Sequence, residues 1–168
     1  MSRGFVKEDD QEEVPMVPQR AYLPEGMTNL VTPSGMNQLL AEKQSLVDEK
    51  NNLNSLNENE KRITLNYINA KLQLLNFRID SAKIVKPNEQ PQKEIRFGAF
   101  VTLKREASGS TQIFQIVGVD EANISKGKVS FISPVARALI NKTIGDKVTL
   151  MQAGKDIVFE IVNISYNM

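Results

Sequence analysis

Two apolar stripes with helical spacing dominate the first half of the chain. The first stripe follows Thr32-Pro33, and a hydroxyl side chain followed by proline is a typical start of a helix. Its apolar positions are Met36, Leu39, Leu40, Leu46, Val47 and Leu53. The second stripe advances in steps of three and four residues through Leu65, Ile68, Leu72, Leu75, Ile79 and Ala82. The pattern predicts two helices that pack along these faces, as in a coiled coil, although Lys43 and Lys50 intrude on the first stripe.

Asparagine is concentrated between the two stripes, over residues 51–59. Asparagine side chains compete with the helical backbone for hydrogen bonds and favour a turn. We therefore expect an antiparallel coiled-coil hairpin over residues 31–86. Each arm of about 20 residues would be about 30 Å long at 1.5 Å per residue.

The hydrophobic pattern changes after the second stripe. Pro87 and Pro91 end the helix and predict a linker over residues 87–93. Residues 94–168 then contain short β-branched runs, which predict strands near 96–104, 111–119, 127–132, 147–152 and 156–166. Because the links between these runs are short, we expect no parallel neighbours and a mainly antiparallel sheet.

One short helix interrupts these strands. Ser133-Pro134 repeats the cap-and-proline start, and the apolar residues Val135, Ala136, Leu139 and Ile140 follow at helical spacing. A single helix on one face of the sheet makes residues 94–168 an α+β domain.

Charge and composition narrow the possible chemistry. The 168 residues include 21 Lys and Arg and 20 Asp and Glu, so the net charge of +1 offers no broad cationic surface for nucleic acid. Nucleic acid would then be reached only indirectly, through a protein partner. The chain has no cysteine and no histidine, which excludes disulfides and thiolate catalysis and removes the commonest metal ligand. We expect no cofactor and no bound metal.

The first 30 residues predict a flexible tail. An acidic run over residues 8–13 is followed by Pro15, Pro18 and Pro24, which interrupt any helix or strand. There is no signal-peptide pattern and no apolar stretch long enough for a membrane span. We therefore expect a cytoplasmic protein that does not enter a membrane.

The second half of the chain carries six spaced signatures in one order. They are FGA–V, QIVG–DEA, G-K-V-S, SP-V-ARALI, I-GD-V and FEIV–I-Y. In this combination the chain resembles the GreA/GreB family of bacterial transcript-cleavage factors. The hairpin resembles the same family through VTPSGMNQL and LNENEKR. The resemblance implies an FKBP-like fold for residues 94–168 and bacterial RNA polymerase as the partner of a monomeric protein that is not itself an enzyme.

The hairpin tip departs from the family pattern. In the family, acidic tip residues enter the secondary channel of the polymerase and help to hold a magnesium ion. The family motif is an aspartate, two residues, a glutamate and an asparagine, and the matching positions here are Ser55, Leu56, Asn57, Glu58 and Asn59. Serine replaces the aspartate, and the hairpin is about two heptads shorter, or about 10 Å of reach. We expect Glu58 and Glu60 to be solvated tip residues and the chain not to support cleavage.

The resemblance also nominates a docking surface. In the family the C-terminal domain contacts the polymerase rim near the channel entrance. Carried over, this contact comprises Ser133, Pro134 and Val135, with Asp120 and Glu121 as further candidates. The leading function is a regulator of elongation at the secondary channel, and the short hairpin also resembles the regulators of nucleoside diphosphate kinase.

Two other functions remain open on sequence alone. An FKBP-like fold would fit a prolyl isomerase, which needs an aromatic pocket, but the domain has no tryptophan. Its aromatic residues are Phe97, Phe100, Phe114, Phe131, Phe159 and Tyr166. A coiled-coil adaptor unrelated to transcription would require only the two helical stripes.

Overall fold

The computed structural model describes residues 15–167 of the chain. The acidic run of the expected tail, over residues 8–13, lies outside the described residues. The helices are α1 (Pro33–Asn51), α2 (Glu58–Ser81) and α3 (Pro134–Leu139). The strands are β1 (Asn29–Val31), β2 (Ala82–Ile84), β3 (Phe100–Arg105), β4 (Thr111–Val117), β5 (Lys128–Ser130), β6 (Lys147–Gln152) and β7 (Lys155–Ser165). No helix in the described part of the chain is long and apolar enough to cross a bilayer.

The predicted helical hairpin is confirmed. Helix α1 has 19 residues and α2 has 24, which correspond to about 28 Å and about 36 Å at 1.5 Å per residue. Thr32 caps α1 by accepting a hydrogen bond of 2.9 Å from the Gly35 backbone nitrogen, and Pro33 occupies the first helical position. The asparagine-rich stretch forms the turn, which contains a short 3₁₀ helix over Leu53–Ser55.

Heptad spacing in both helices produces the hairpin core. Leu39, Leu46 and Leu53 are spaced by seven residues on one side, and they face Ile68 and Leu75 on the other. Met36, Leu56, Leu65, Leu72, Ile79 and Ala82 pack around this row. Leu40, which was expected near the seam, is 45% exposed, because residue i+1 of a helix points about 100° away from residue i.

A two-stranded parallel ribbon forms the base of the hairpin. Strand β1 pairs with β2 in the register Asn29↔Ala82 to Val31↔Ile84, and the Val85 nitrogen donates to the Val31 carbonyl at 2.9 Å. Sequence reasoning missed this ribbon, because three-residue strands carry no readable alternation. Its side chains join the hairpin to the rest of the protein, since Leu30 and Val85 pack against the core of the C-terminal sheet.

The C-terminal sheet confirms the α+β class. Its strand order is β5-β4-β3-β7-β6, and every pair is antiparallel except β4 with β5. The expectation that no neighbours would be parallel is wrong for that pair. The connection over residues 118–127, with a 3₁₀ turn and a left-handed Gly127 at φ 70°, lets the chain return and run beside β4 in the same direction.

Helix α3 covers one face of this sheet. Ala136 and Leu139 of the helix are completely buried together with Phe159 and Ile161 of β7. The chain end closes the same core: the Tyr166 hydroxyl donates to the Glu94 carbonyl and accepts from the Arg96 nitrogen at 2.9 Å. Burial raises the pKa of the Tyr166 phenol above its ordinary value. The domain therefore presents α3 on a rigid support.

Candidate functional site

The start of α3 is an ordered surface feature. Ser133 has extended backbone geometry, and its Oγ accepts a hydrogen bond of 3.2 Å from the Ala136 nitrogen. Pro134 occupies the first helical position and is exposed, whereas Val135 is half-buried against the core. The buried residues Ala136 and Leu139 anchor α3 to the sheet, so Ser133 and Pro134 already have fixed positions in the free protein.

Asp120 lies in the connection after β4 and faces the hairpin. Its carboxylate accepts from Arg20 Nε at 3.0 Å and from Arg78 Nη1 at 3.5 Å, and its side chain is only 8% exposed. The same Arg20 guanidinium makes two further hydrogen bonds to Glu42 of α1, at 2.8 and 3.0 Å. The hydrogen bond to Glu42 and the charge of Asp120 raise the pKa of Arg20 above its ordinary value.

Glu121 is buried against the start of α1. Its side chain is 2% exposed, and it accepts a hydrogen bond from the Thr32 hydroxyl and one of 3.3 Å from Lys128 Nζ. A carboxylate at a helix N-terminus is favourable, because the free N–H groups there carry partial positive charge. A Cβ at residue 35 would lie 2.7 Å from Glu121 Oε1, so any residue other than Gly35 would require this carboxylate to move away from its partners. Glu121 therefore fastens α1 to the C-terminal domain.

A second close approach supports the same junction. A Cβ on Gly118 would lie 2.5 Å from the Leu30 carbonyl oxygen, which is closer than real Cβ atoms come to other groups. Glycine at this position lets the β4 end touch the β1 backbone. The hairpin base and the domain are thus packed on each other by backbone contact as well as by charge.

The five residues nominated for partner binding form two groups. Ser133, Pro134 and Val135 are together at α3. Asp120 and Glu121 face the hairpin base instead, and within residues 15–167 no hydrogen bond or salt bridge joins them to α3. Their contacts are therefore intramolecular in this structure.

The hairpin tip exposes polar side chains. Asn57 caps α2 by accepting a hydrogen bond of 2.9 Å from the Glu60 nitrogen, so its amide is already in use. Glu58, Asn59 and Glu60 are exposed in the first turn of α2, and Ser55, also exposed, ends the preceding 3₁₀ turn. In the described part of the chain, no three Asp or Glu side chains cluster as a metal site would require.

The aromatic residues of the domain are mostly used inside it. Phe159 and Tyr166 are buried, and Phe97 meets Phe131 edge to face at 5.6 Å between ring centroids. Among residues 15–167, Phe100 is the one aromatic residue that lines the groove beside Ile113. This lining does not resemble the aromatic pocket that a prolyl isomerase needs.

Sequence reasoning missed the residues that complete the junction. Arg20 and Arg78 have no local motif, and their shared partner Asp120 lies 100 and 42 residues away. Thr32 was predicted as a helix cap, but its second bond to Glu121 spans 89 residues and has no sequence signal.

Comparison with known proteins identifies the relatives of this chain. Residues 90–166 match the family model described as transcription elongation factor, GreA/GreB, C-terminal. The transcription elongation factor GreA of Thioalkalivibrio sulfidiphilus is 34% identical over 152 residues, covering 81% of this chain and 96% of that protein. The chain belongs to the GreA/GreB family.

Another GreA relative aligns over less of its length. The GreA of Alkalilimnicola ehrlichii is 39% identical over 102 residues, and the alignment covers 60% of this chain and 65% of that protein, slightly under two thirds. Two solved structures cover 82% of this chain. The GreA factor homolog 1 protein of Thermus thermophilus has 21% identity and a TM-score of 0.41, and the GreA/GreB factor of Nitrosomonas europaea has 18% and 0.43. Family membership follows from the sequence relatives.

Proposed function

We propose that this protein is a transcription elongation factor that binds bacterial RNA polymerase and inserts its hairpin into the secondary channel without supporting transcript cleavage. The names of its GreA relatives and the family match support the general function. A partner of this kind would place the protein in the bacterial cytoplasm, acting as a monomer, with nucleic acid contacted only through the transcription complex. The protein would regulate elongation by occupancy and would catalyse no reaction itself.

The observation that carries the docking proposal is the start of α3. Pro134 is exposed, yet its position is fixed by the Ser133 cap and by the buried residues Ala136 and Leu139. An exposed contact whose position is already fixed loses little conformational freedom on binding, which favours affinity. We assign the polymerase contact to Ser133, Pro134 and Val135, and we assign Asp120 and Glu121 to the support of the hairpin.

The absence of cleavage support is inferred from the tip. Of the two acids in the family motif, only Glu58 is present, because Ser55 replaces the other. The motif asparagine, Asn59, is present, and its side-chain oxygen accepts a hydrogen bond of 3.2 Å from Arg62 Nη2. The donor set therefore does not fit a magnesium ion, which prefers near-octahedral oxygen ligands at about 2.1 Å. The hairpin is also about two heptads shorter than the family pattern, so its tip would lie about 10 Å short of the position that the family's tip acids reach.

The docking proposal is tested with Pro134→Asp. Aspartate is well tolerated at the first position of a helix, so the fold should remain and polymerase binding should weaken. The measurement is affinity for the host RNA polymerase, with a thermal melt to verify folding. Pro91→Asp, at an exposed proline of the linker, is the matched control and should bind normally. Equal affinity of the Pro134 variant and the unsubstituted protein would place the contact elsewhere.

The inactive tip is tested with Ser55→Asp in a transcript-cleavage assay on backtracked complexes. Restoring the acid alone should give no cleavage, because the carboxylate remains about 10 Å short of the position that it would need. One added heptad in each arm together with Ser55→Asp should produce cleavage. Cleavage stimulated by the unmodified protein would contradict the proposal and make Glu58 and Glu60 the first residues to substitute.

A further inference from the structure

The segment before β1 contacts both helices of the hairpin and the C-terminal domain. Pro18, Gln19, Arg20 and Ala21 line a depression with Glu42 of α1, with Lys71 and Leu74 of α2 and with Asp120 of the domain. Arg78 of α2 donates to the Ala21 carbonyl, which ties the backbone of the segment to that helix. The segment thus contacts α1, α2 and the domain. Among residues 15–167, all salt bridges that link these parts of the protein lie at this junction.

The charges in this junction form one connected chain. Arg20 binds Glu42 through two nitrogens and Asp120 through a third, so its guanidinium bridges α1 and the domain. Arg78 brings α2 to the other oxygen of Asp120 at 3.5 Å. The side chains of Arg20, Arg78 and Asp120 are 18%, 15% and 8% exposed, so salt screens these pairs less than pairs at the open surface.

The position of Glu42 lets this junction restrict tilting of α1. Glu121 holds the start of α1 at Thr32, and a helix held at one end can still tilt about that point. Glu42 lies ten residues further along α1, which is about 15 Å at 1.5 Å per residue. A second attachment at that distance, with a third on α2, resists tilting far more than the first attachment alone.

We propose that residues 18–21 act as a brace that fixes the angle between the hairpin and the C-terminal domain, with Arg20 as its central contact and Asp120 as the shared anchor. Breaking the bonds of Asp120 leaves two arginines facing one another at the junction. The hairpin then samples additional tilts while the hairpin core and the sheet remain folded. This inference concerns the geometry of the protein alone and goes beyond polymerase binding.

The absence of cysteine makes a direct test simple. Spin labels on Asn54→Cys at the tip and Lys155→Cys at the start of β7 report the distance between the tip and the domain; both sites are exposed. Pulsed electron spin resonance on the full chain should give one narrow distance distribution for the unsubstituted brace. Asp120→Asn and Arg20→Gln should each give a broader distribution with a shifted population.

Two further variants serve as a partial disruption of the brace and as a control outside it. Glu42→Gln removes only the contact to α1 and should broaden the distribution less than Asp120→Asn. Arg105→Gln removes an arginine of β3 outside the brace and should leave the distribution unchanged. Thermal unfolding of every variant verifies that the domains are intact. The proposal is overturned if the Asp120 and Arg20 variants keep the narrow distribution, or if Arg105→Gln broadens it equally.

Discussion

The acidic residues at the two ends of the hairpin are used in opposite ways. At the base, Asp120 and Glu121 are nearly buried, and each carboxylate accepts from two side chains. At the tip, Glu58 and Glu60 are exposed, and within the described residues they form no salt bridge. Acids of equal formal charge therefore contribute differently to stability, because burial and the partners of a carboxylate determine how much its removal costs.

This difference separates a structural acid from a functional candidate. A buried acid with satisfied bonds cannot be lost without leaving its partners unpaired. An exposed acid can be replaced at little cost to folding, so its identity is free to follow function. The fold of this chain therefore constrains the acids at the base and leaves those at the tip, Glu58 and Glu60, open to replacement.

The largest expected effect is that of Glu121→Ala. It leaves the Thr32 hydroxyl and Lys128 without their partner and removes a carboxylate from the start of α1. Breaking a buried ion pair on one side typically costs about 3–5 kcal/mol, and we expect a loss near the lower end of that range because Lys128 is 25% exposed. Urea-induced unfolding measures the change in the free energy of unfolding.

The matched control for this substitution is Glu60→Ala at the tip. Glu60 is exposed in the first turn of α2, so its removal should cost less than about 1 kcal/mol. If the two variants are equally stable, the assignment of Glu121 as a structural acid is wrong.

The buried phenol of Tyr166 is uncharged at neutral pH, and its contribution to stability can be tested at alkaline pH. Tyr166→Phe removes the bonds to Glu94 and Arg96 and should cost about 1–3 kcal/mol near neutral pH. The raised pKa of Tyr166 means that the folded state keeps this proton to higher pH than the unfolded chain does. The stabilisation that it provides is complete below pH 10.0 and is lost as pH rises through the higher folded-state value.

The pH dependence is measured by denaturant unfolding between neutral pH and pH 11. The unsubstituted protein should lose stability through the alkaline range, whereas Tyr166→Phe should show a shallower decline. Parallel curves for the two proteins would show that Tyr166 ionises equally in the folded and unfolded states.

A smaller effect than that of Tyr166→Phe is expected at the tip cap. Asn57→Ala removes the acceptor for the Glu60 nitrogen, and the loss of an N-cap typically costs about 1 kcal/mol. Asn57→Asp restores an acceptor and should recover most of that stability, as judged by urea unfolding. If Asn57→Ala is as stable as the unsubstituted protein, the Asn57 cap does not stabilise the start of α2.

Local chemistry made part of this architecture predictable. Thr32-Pro33 and Ser133-Pro134 predicted two helix starts, and the asparagine-rich stretch predicted the turn, because caps and turns depend on neighbouring residues. The heptad spacing likewise predicted the buried row around Ile68 and Leu75. In each case the signal lies within a few residues of the structure that it forms.

The junction could not be predicted in this way. Asp120 and Glu121 were visible as acids in a recognisable signature, but their partners Arg20 and Thr32 lie 100 and 89 residues away. Pairings at such separations depend on the completed fold, and one sequence without its structure does not encode them as a pattern. The parallel pairing of β5 with β4 was not predicted either, because the direction of β5 depends on the path of residues 118–127.

The parallel pairing of β1 with β2 fixes an order of events during synthesis. The ribosome releases Asn29–Val31 first, but their partners in Ala82–Ile84 emerge only after both helices have been made. The helix contacts beside the turn join residues close in sequence, so they can form before this pairing, since local contacts form faster than distant ones. Arg20 must wait longer still, because Asp120 follows it by 100 residues. The earliest described part of the chain is therefore among the last to reach its final contacts.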